Sequence, residues 1–108
     1  MNADLTVPCT SRVTVTATFP LVHRCPYRAE TDEGHADITW SIEGRTLELH
    51  TLAAWLDRYA DQVISHEDLT EEISERLAAL PGIVNVRAVT RWTTAGAQVV
   101  VTARALPR

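Results

Sequence analysis

Lysine is absent from this chain: all ten basic side chains are arginines. Schiff-base chemistry on a lysine amine is therefore excluded, and every permanent positive side-chain charge is a guanidinium. Cysteine is scarce. Cys9 and Cys25 are too few for a disulfide framework, which sets a reducing cytoplasm as the expected location. A bridge between those two would sequester Cys25 as a regulatory lock. No apolar run is long enough for a signal peptide or a membrane span. The four glycines form no phosphate-cradling loop and no Walker pattern, so nucleoside triphosphate chemistry of that type is unsupported. Positive charge is also short: the formal net charge is −4, which argues against a general electrostatic hold on nucleic acid. Free nucleobases or other small metabolites suit such a surface better.

What remains is a 108-residue chain with the apolar content of one ordinary globular domain. Such a domain has little stability to spare, and association with further copies is a natural remedy. Residues 1–11, with Pro8, Cys9 and Thr10, are expected to be a flexible lead-in, and 12–105 the folded domain. Val13, Val15, Ala17 and Phe19 alternate with threonines in the period of a half-buried strand. From His35 to His50 the pattern is a hairpin turning at Glu43-Gly44, with Trp40 and Leu47 as core residues. The period then becomes helical, with Leu52, Trp55, Leu56 and Tyr59 on one face. After a break near Val63-Ile64, Ser65 and Asp68 make a capping box for a second helix striped by Leu69, Ile73, Leu77 and Leu80. Pro81-Gly82 ends it, and a second hairpin turns within Thr93 to Ala97. Strands, two helices, strands is the order of an α+β unit: a four-stranded antiparallel sheet with both helices on one face, ββααββ.

The chemically suggestive residues are few. Cys25-Pro26 lies between a strand and a polar loop, where a thiol can be both held and exposed. A lone cysteine is more often a small buried hydrophobe. His23, Arg24 and the loop amides after Pro26 are its candidate thiolate-stabilising neighbours. Asp32 is either a proton donor folded back over the thiol or a solvated acid among Glu30 and Glu33. His66 and Glu67 open the second helix. There a carboxylate is favoured by the helix dipole alone, or it accepts two parallel hydrogen bonds from a 2-amino-4-oxo heterocycle. Cys25, His23, His35 and His66 include metal-ligand types. No compact Cys-x-x-Cys or His-x-x-x-His spacing is present, so no metal is expected, and His35 and His50 are expected at a strand surface.

Taken together, Cys25-Pro26, Asp32 seven positions on, Glu48 before the first helix and His66-Glu67 opening the second resemble the 7-cyano-7-deazaguanine nitrile reductases of queuosine biosynthesis. These belong to the tunnelling-fold superfamily, with the cyclohydrolases and pterin-forming enzymes. The likeness runs from about Val13 to Val100 and lies in joint spacing more than in identity. It implies a tunnelling fold whose barrel is completed by oligomerisation. It further implies catalytic roles for Cys25 (thioimide-forming thiolate), Asp32 (proton donor) and His66, and substrate-binding roles for Glu67 and Glu48. NADPH is the reductant that the likeness implies. The basic residues the family places near that cofactor are replaced here by His50, Ala53 and Ala95, while Arg91-Trp92 keeps the basic-aromatic step of the last hairpin. Nitrile reduction by NADPH is therefore expected to be slow or absent.

Three functions follow as expectations. The first is a deazaguanine nitrile enzyme whose second substrate is hydride or, as in amidine-forming relatives, an amine. The second is a metal-assisted cyclohydrolase or pterin-type enzyme, and the third a base-binding module without turnover. The expected partners are a deazapurine or pterin-like small molecule and further copies of the chain, with active sites at the interface, and neither nucleic acid nor membrane. The expected driving force for assembly is Val, Ile and Trp surface on the uncovered sheet face and open edges.

Overall fold

The computed structural model describes residues 5–105. Strands β1 (Thr6–Pro8), β2 (Thr14–Arg24), β3 (Thr31–Ile42) and β4 (Arg45–Leu47) come first. Helix α1 (Leu49–Asp57), a 3-10 turn (Arg58–Asp61) and helix α2 (His66–Ala78) follow, and β5 (Ile83–Thr94) and β6 (Ala97–Arg104) close the chain. The main sheet is antiparallel in the order β2-β3-β5-β6, the expected α+β unit.

Strand alternation decides which residues meet the helices. Leu21 of β2, Ala36, Ile38 and Trp40 of β3, and Val86 and Ala88 of β5 point inward and are buried against Leu52, Leu56, Leu69, Ile73 and Leu77. Trp40 is core, as its strand phase predicts, and its indole N–H donates to Thr46 Oγ1 at 3.0 Å. Ser65 caps α2 by accepting from the Asp68 amide at 3.1 Å. The last hairpin closes with Ala95 at φ 53° and Gly96 at φ 80°, the two positive values of a type I′ turn.

Two expectations about the course of the chain need correction. The hairpin expected over 35–50 exists only in part. β3 starts earlier, at Thr31, and β4 pairs with β1 in a separate two-stranded sheet. The reason is burial: Leu5 and Leu47 both enter the core, and Arg45 donates to Thr6 Oγ1 at 2.8 Å and to the Thr6 carbonyl at 3.0 Å. By the same contacts Leu5–Pro8 is not the flexible lead-in expected over 1–11; Met1–Asp4 lie outside the described residues. A Cys9–Cys25 bridge within one chain is excluded as well. Cys9 is bonded to the Gly44 carbonyl at one end of β2, and Cys25 follows its other end, 11 residues away along the strand or more than about 30 Å, against the ~7 Å a disulfide spans.

The sheet face turned away from the helices is polar rather than apolar. Thr14 bonds Ser41, Thr16 bonds Thr39, and Thr18 donates to Asp37, which also faces Arg91 at 3.6 Å. The apolar surface expected on that face is therefore reduced, with Val100 of β6 still 53% exposed there, and the outer edges of β6 and of β2 before Arg24 remain open.

Candidate active site

The inward phase of β2 continues past Leu21 to His23, which is 1% exposed. The β2–β3 register puts Asp32 directly opposite. The segment before α2 is stitched alongside the end of β2: the Arg24 amide donates to Gln62 at 2.9 Å, and the Ile64 amide donates to Arg24 at 3.1 Å. Ser65 then starts the helix, so His66 arrives above His23. Trp92 supplies the wall. Its indole stacks on His66, with centroids 4.4 Å apart and planes 14° apart, and meets His23 edge-on at 4.7 Å.

Close approach across the sheet makes room for that indole. Gly34 pairs with Trp92, and a Cβ there would fall 2.2 Å from the Arg91 carbonyl and 2.6 Å from the indole ring. The indole is further fixed by a polar relay from β5 to α2. Trp92 Nε1 donates to Thr90 Oγ1 at 2.9 Å, the Thr90 hydroxyl donates to Thr70 Oγ1 at 2.6 Å, and Thr70 donates to the His66 carbonyl at 2.7 Å. All of these groups are satisfied inside the core, which holds the first turn of α2 in one place.

The imidazole protons follow from their partners. The Arg24 carbonyl can only accept, so His23 Nδ1, 3.2 Å away, carries a hydrogen and His23 Nε2 is bare. His66 Nδ1–H therefore donates to His23 Nε2 at 2.7 Å. That leaves His66 Nε2 bare, accepting from the Thr94 hydroxyl at 3.0 Å. Asp32 Oδ2 stands 3.7 Å from His23 Nε2 and 3.8 Å from His66 Nε2, close enough to attract a proton gained by either ring. Burial holds the His66 imidazole below its ordinary 6.5, His23 pushes the same way, and Asp32 and Glu67 oppose them. His66 is thus a neutral acceptor near pH 7, with a carboxylate in position to share any proton it gains.

Among the described residues, His23, Asp32 and His66 are the grouping whose donor atoms come within 4.8 Å of one another. The same three side chains are of types that could hold a metal ion, with the His66 nitrogen nearest Asp32 being Nε2. His35 is exposed on β3, and His50 lies on α1 rather than on a strand, with its side chain 99% exposed.

Cys25 is half-buried and lies two positions beyond His23, just past the end of β2. Its amide donates to the Glu30 carbonyl at 2.9 Å, and it lines a cavity of about 280 Å³ with Arg24, Ala29, Glu30, Thr31 and Val63. Glu67 is exposed in the first turn of α2, beside His66. Glu48 is placed elsewhere. It is the N-cap of α1: its oxygens accept from the His50 amide at 2.8 Å and from the Thr51 amide and hydroxyl at 3.1 and 2.9 Å, which draws its carboxyl down to about 2. Sequence reasoning put Asp32 and His66 in the site and treated His23 as a neighbour of the thiol and one of several metal-ligand types. It passed over Thr94. The inward phase of β2 was the available signal for His23; nothing in the local pattern marks Thr94.

No protein-family model matches this sequence, and no curated protein matches it. Among solved structures, the chain is similar to the crystal structure of the archaeosine synthase QueF-Like in the apo form, with a TM-score of 0.84 and 21% identity. The match covers 91% of this chain and 100% of that one. The likeness shows the tunnelling fold expected from the spacing of Cys25-Pro26, Asp32, Glu48 and His66-Glu67.

Proposed function

We propose that this chain is a tunnelling-fold enzyme that captures the nitrile of a 7-cyano-7-deazaguanine-like base on Cys25 and passes the resulting thioimide to an amine rather than to hydride. The observation that carries the reading is a thiol lining a cavity, two residues along the chain from His23 of the largely buried His23–Asp32–His66 cluster that can hold and release a proton.

The Cys25 thiolate adds to the electrophilic nitrile carbon, and one π bond of the C≡N becomes the lone pair of an imide nitrogen. The proton that Cys25 gives up on becoming a thiolate is taken by Asp32 or His66 Nε2 and passes on to that nitrogen, giving a neutral thioimide. Ammonia or another amine then attacks the same carbon, loses a proton to the cluster and expels the Cys25 thiolate, leaving an amidine. No electrons are gained or lost overall. Glu67, exposed and next to His66, accepts two hydrogen bonds from the amino and ring N–H groups of the base, which selects a 2-amino-4-oxo heterocycle over adenine.

Hydride would need a bound nicotinamide dinucleotide, and this chain does not fit one at the family's place. His50 shares its Nδ1 with Glu48 at 3.2 Å, and Ala53 and Ala95 bring no charge, so the phosphates find no cation there. The likeness to an archaeosine synthase supports the non-reductive reading.

The test is product analysis after incubation with 7-cyano-7-deazaguanine and either ammonium or NADPH. Amidine with ammonium, and no NADPH oxidation, is the expected result. Rapid NADPH oxidation coupled to primary amine would overturn the choice of second substrate. Tight ligand binding unaffected by Cys25→Ala, with no product of either kind, would make the chain a base-binding module.

A further inference from the structure

We propose that His23 is a positioning residue that holds His66 in its Nδ1–H tautomer, so that Nε2 is the atom through which His66 exchanges protons at this site. The inference deepens the reading above, in which His66 serves the thioimide.

His23 is fully buried, yet every polar atom of its ring is used. Its Nδ1–H is spent on the Arg24 carbonyl and its Nε2 on His66 Nδ1–H, so the ring cannot turn over without orphaning both of those N–H groups. The bare Nε2 is then aimed at His66 Nδ1 at 2.7 Å, a short contact that fixes the position of one proton. Trp92 clamps both rings from the side, and Gly34 allows it to lie there. Two constraints therefore act on His66: a plane set by the stacked indole and a tautomer set by His23.

The consequence lies at His66 Nε2. With Nδ1–H committed inward, Nε2 keeps its lone pair on the side of Thr94 and Asp32. A proton arriving there makes an imidazolium that still donates to His23 and faces the Asp32 carboxylate. The titratable or charged groups facing His66 are His23 from β2, Asp32 from β3 and Glu67 from its own helix; β5 contributes only Trp92, Thr90 and Thr94. The arrangement has the logic of a catalytic triad's orienting group, but with an imidazole in the orienting place. His23 and His66 are 43 residues apart, brought together by the stitching of Gln62 and Ile64 to Arg24.

The direct test is imidazole nitrogen NMR on the full-length chain at pH 7.5, through long-range proton–nitrogen correlations. Both His23 and His66 are expected as Nδ1–H tautomers. Finding His66 as the Nε2–H tautomer would overturn the proposal, and so would uptake of one zinc ion per chain with loss of the His66 Nδ1–H signal. This readout needs no substrate, so it stands whether or not Cys25 reacts with a nitrile. Two variants add the functional arm. In His23→Gln an amide oxygen reaches the place of Nε2 and keeps the acceptor; in His23→Asn it falls short. The rate of thioimide formation is expected to drop by about tenfold or more in His23→Asn and to be rescued to within about threefold in His23→Gln, with the lower limb of the pH–rate profile shifted only in the former. Equal rates and profiles for the two folded variants would reduce His23 to packing.

Discussion

Glu48 and Glu67 are both carboxylates at helix starts, yet their surroundings give them opposite tasks. Glu48 has both oxygens bonded to the first turn of α1, and its carboxyl is drawn from 4.5 to about 2. The folded value lies below the unfolded one, so its contribution to stability is complete above about 4.5 and is lost as the pH falls toward about 2. Glu48→Ala should lower the melting temperature near pH 7 and lose much of that difference near pH 2, as thermal melts across the range would reveal. Glu67 carries no cap bond. Glu67→Gln should weaken binding of a 2-amino-4-oxo purine analogue by about 1.5–3 kcal/mol in calorimetry, with an unchanged melting temperature; equal affinities would leave it only a dipole role. His66 has the reverse charge sense to Glu48. Its protonated form is disfavoured in the fold, so stability is full above 6.5 and falls as the pH drops below it. Urea melts between pH 7.5 and 5.5 should show that loss in the wild type and less of it in His66→Gln. From sequence, Cys25, Asp32, His66 and Glu67 were visible as a spaced set, whereas the His23–His66 bond was not, because no local period reports a contact 43 residues apart.

At the scale of elements, the pairing of Gly34 with Trp92 links the sheet to the site. Gly34→Ala would push a methyl into the Arg91 carbonyl and the indole. It should destabilise the fold by about 1–3 kcal/mol in denaturant melts and loosen the stack under His66. A variant as stable as the wild type would mean the strands separate freely there. Elements governed by local chemistry were legible before the structure: the alternation of β2 and β3, the Ser65 cap, the stripe of α2 and the final hairpin. The partner of β4 was not. Three residues carry too little period to choose a neighbour, and the choice was made by Leu5 burial and the Arg45–Thr6 bonds. The face of the sheet away from the helices was also misjudged, since the threonines that alternate with Val15, Ala17 and Phe19 make it polar.

For the whole molecule, two long edge strands and a half-open cavity point the same way. β6, and β2 up to Arg24, have open outer edges, and Val63, which lines the Cys25 cavity, is 66% exposed. We expect copies to join edge to edge with that cavity closed at the interface, so light scattering should find a homo-oligomer whose ligand affinity falls on dilution. A stable monomer with full affinity would defeat the shared-site arrangement. The chemistry proposed for the molecule comes down to one covalent bond. Peptide mapping by mass spectrometry after incubation with 7-cyano-7-deazaguanine should place a single adduct on Cys25, none on Cys9, and none anywhere in Cys25→Ala. An adduct on Cys9, or no adduct while calorimetry shows the ligand bound, would contradict nitrile capture by this site.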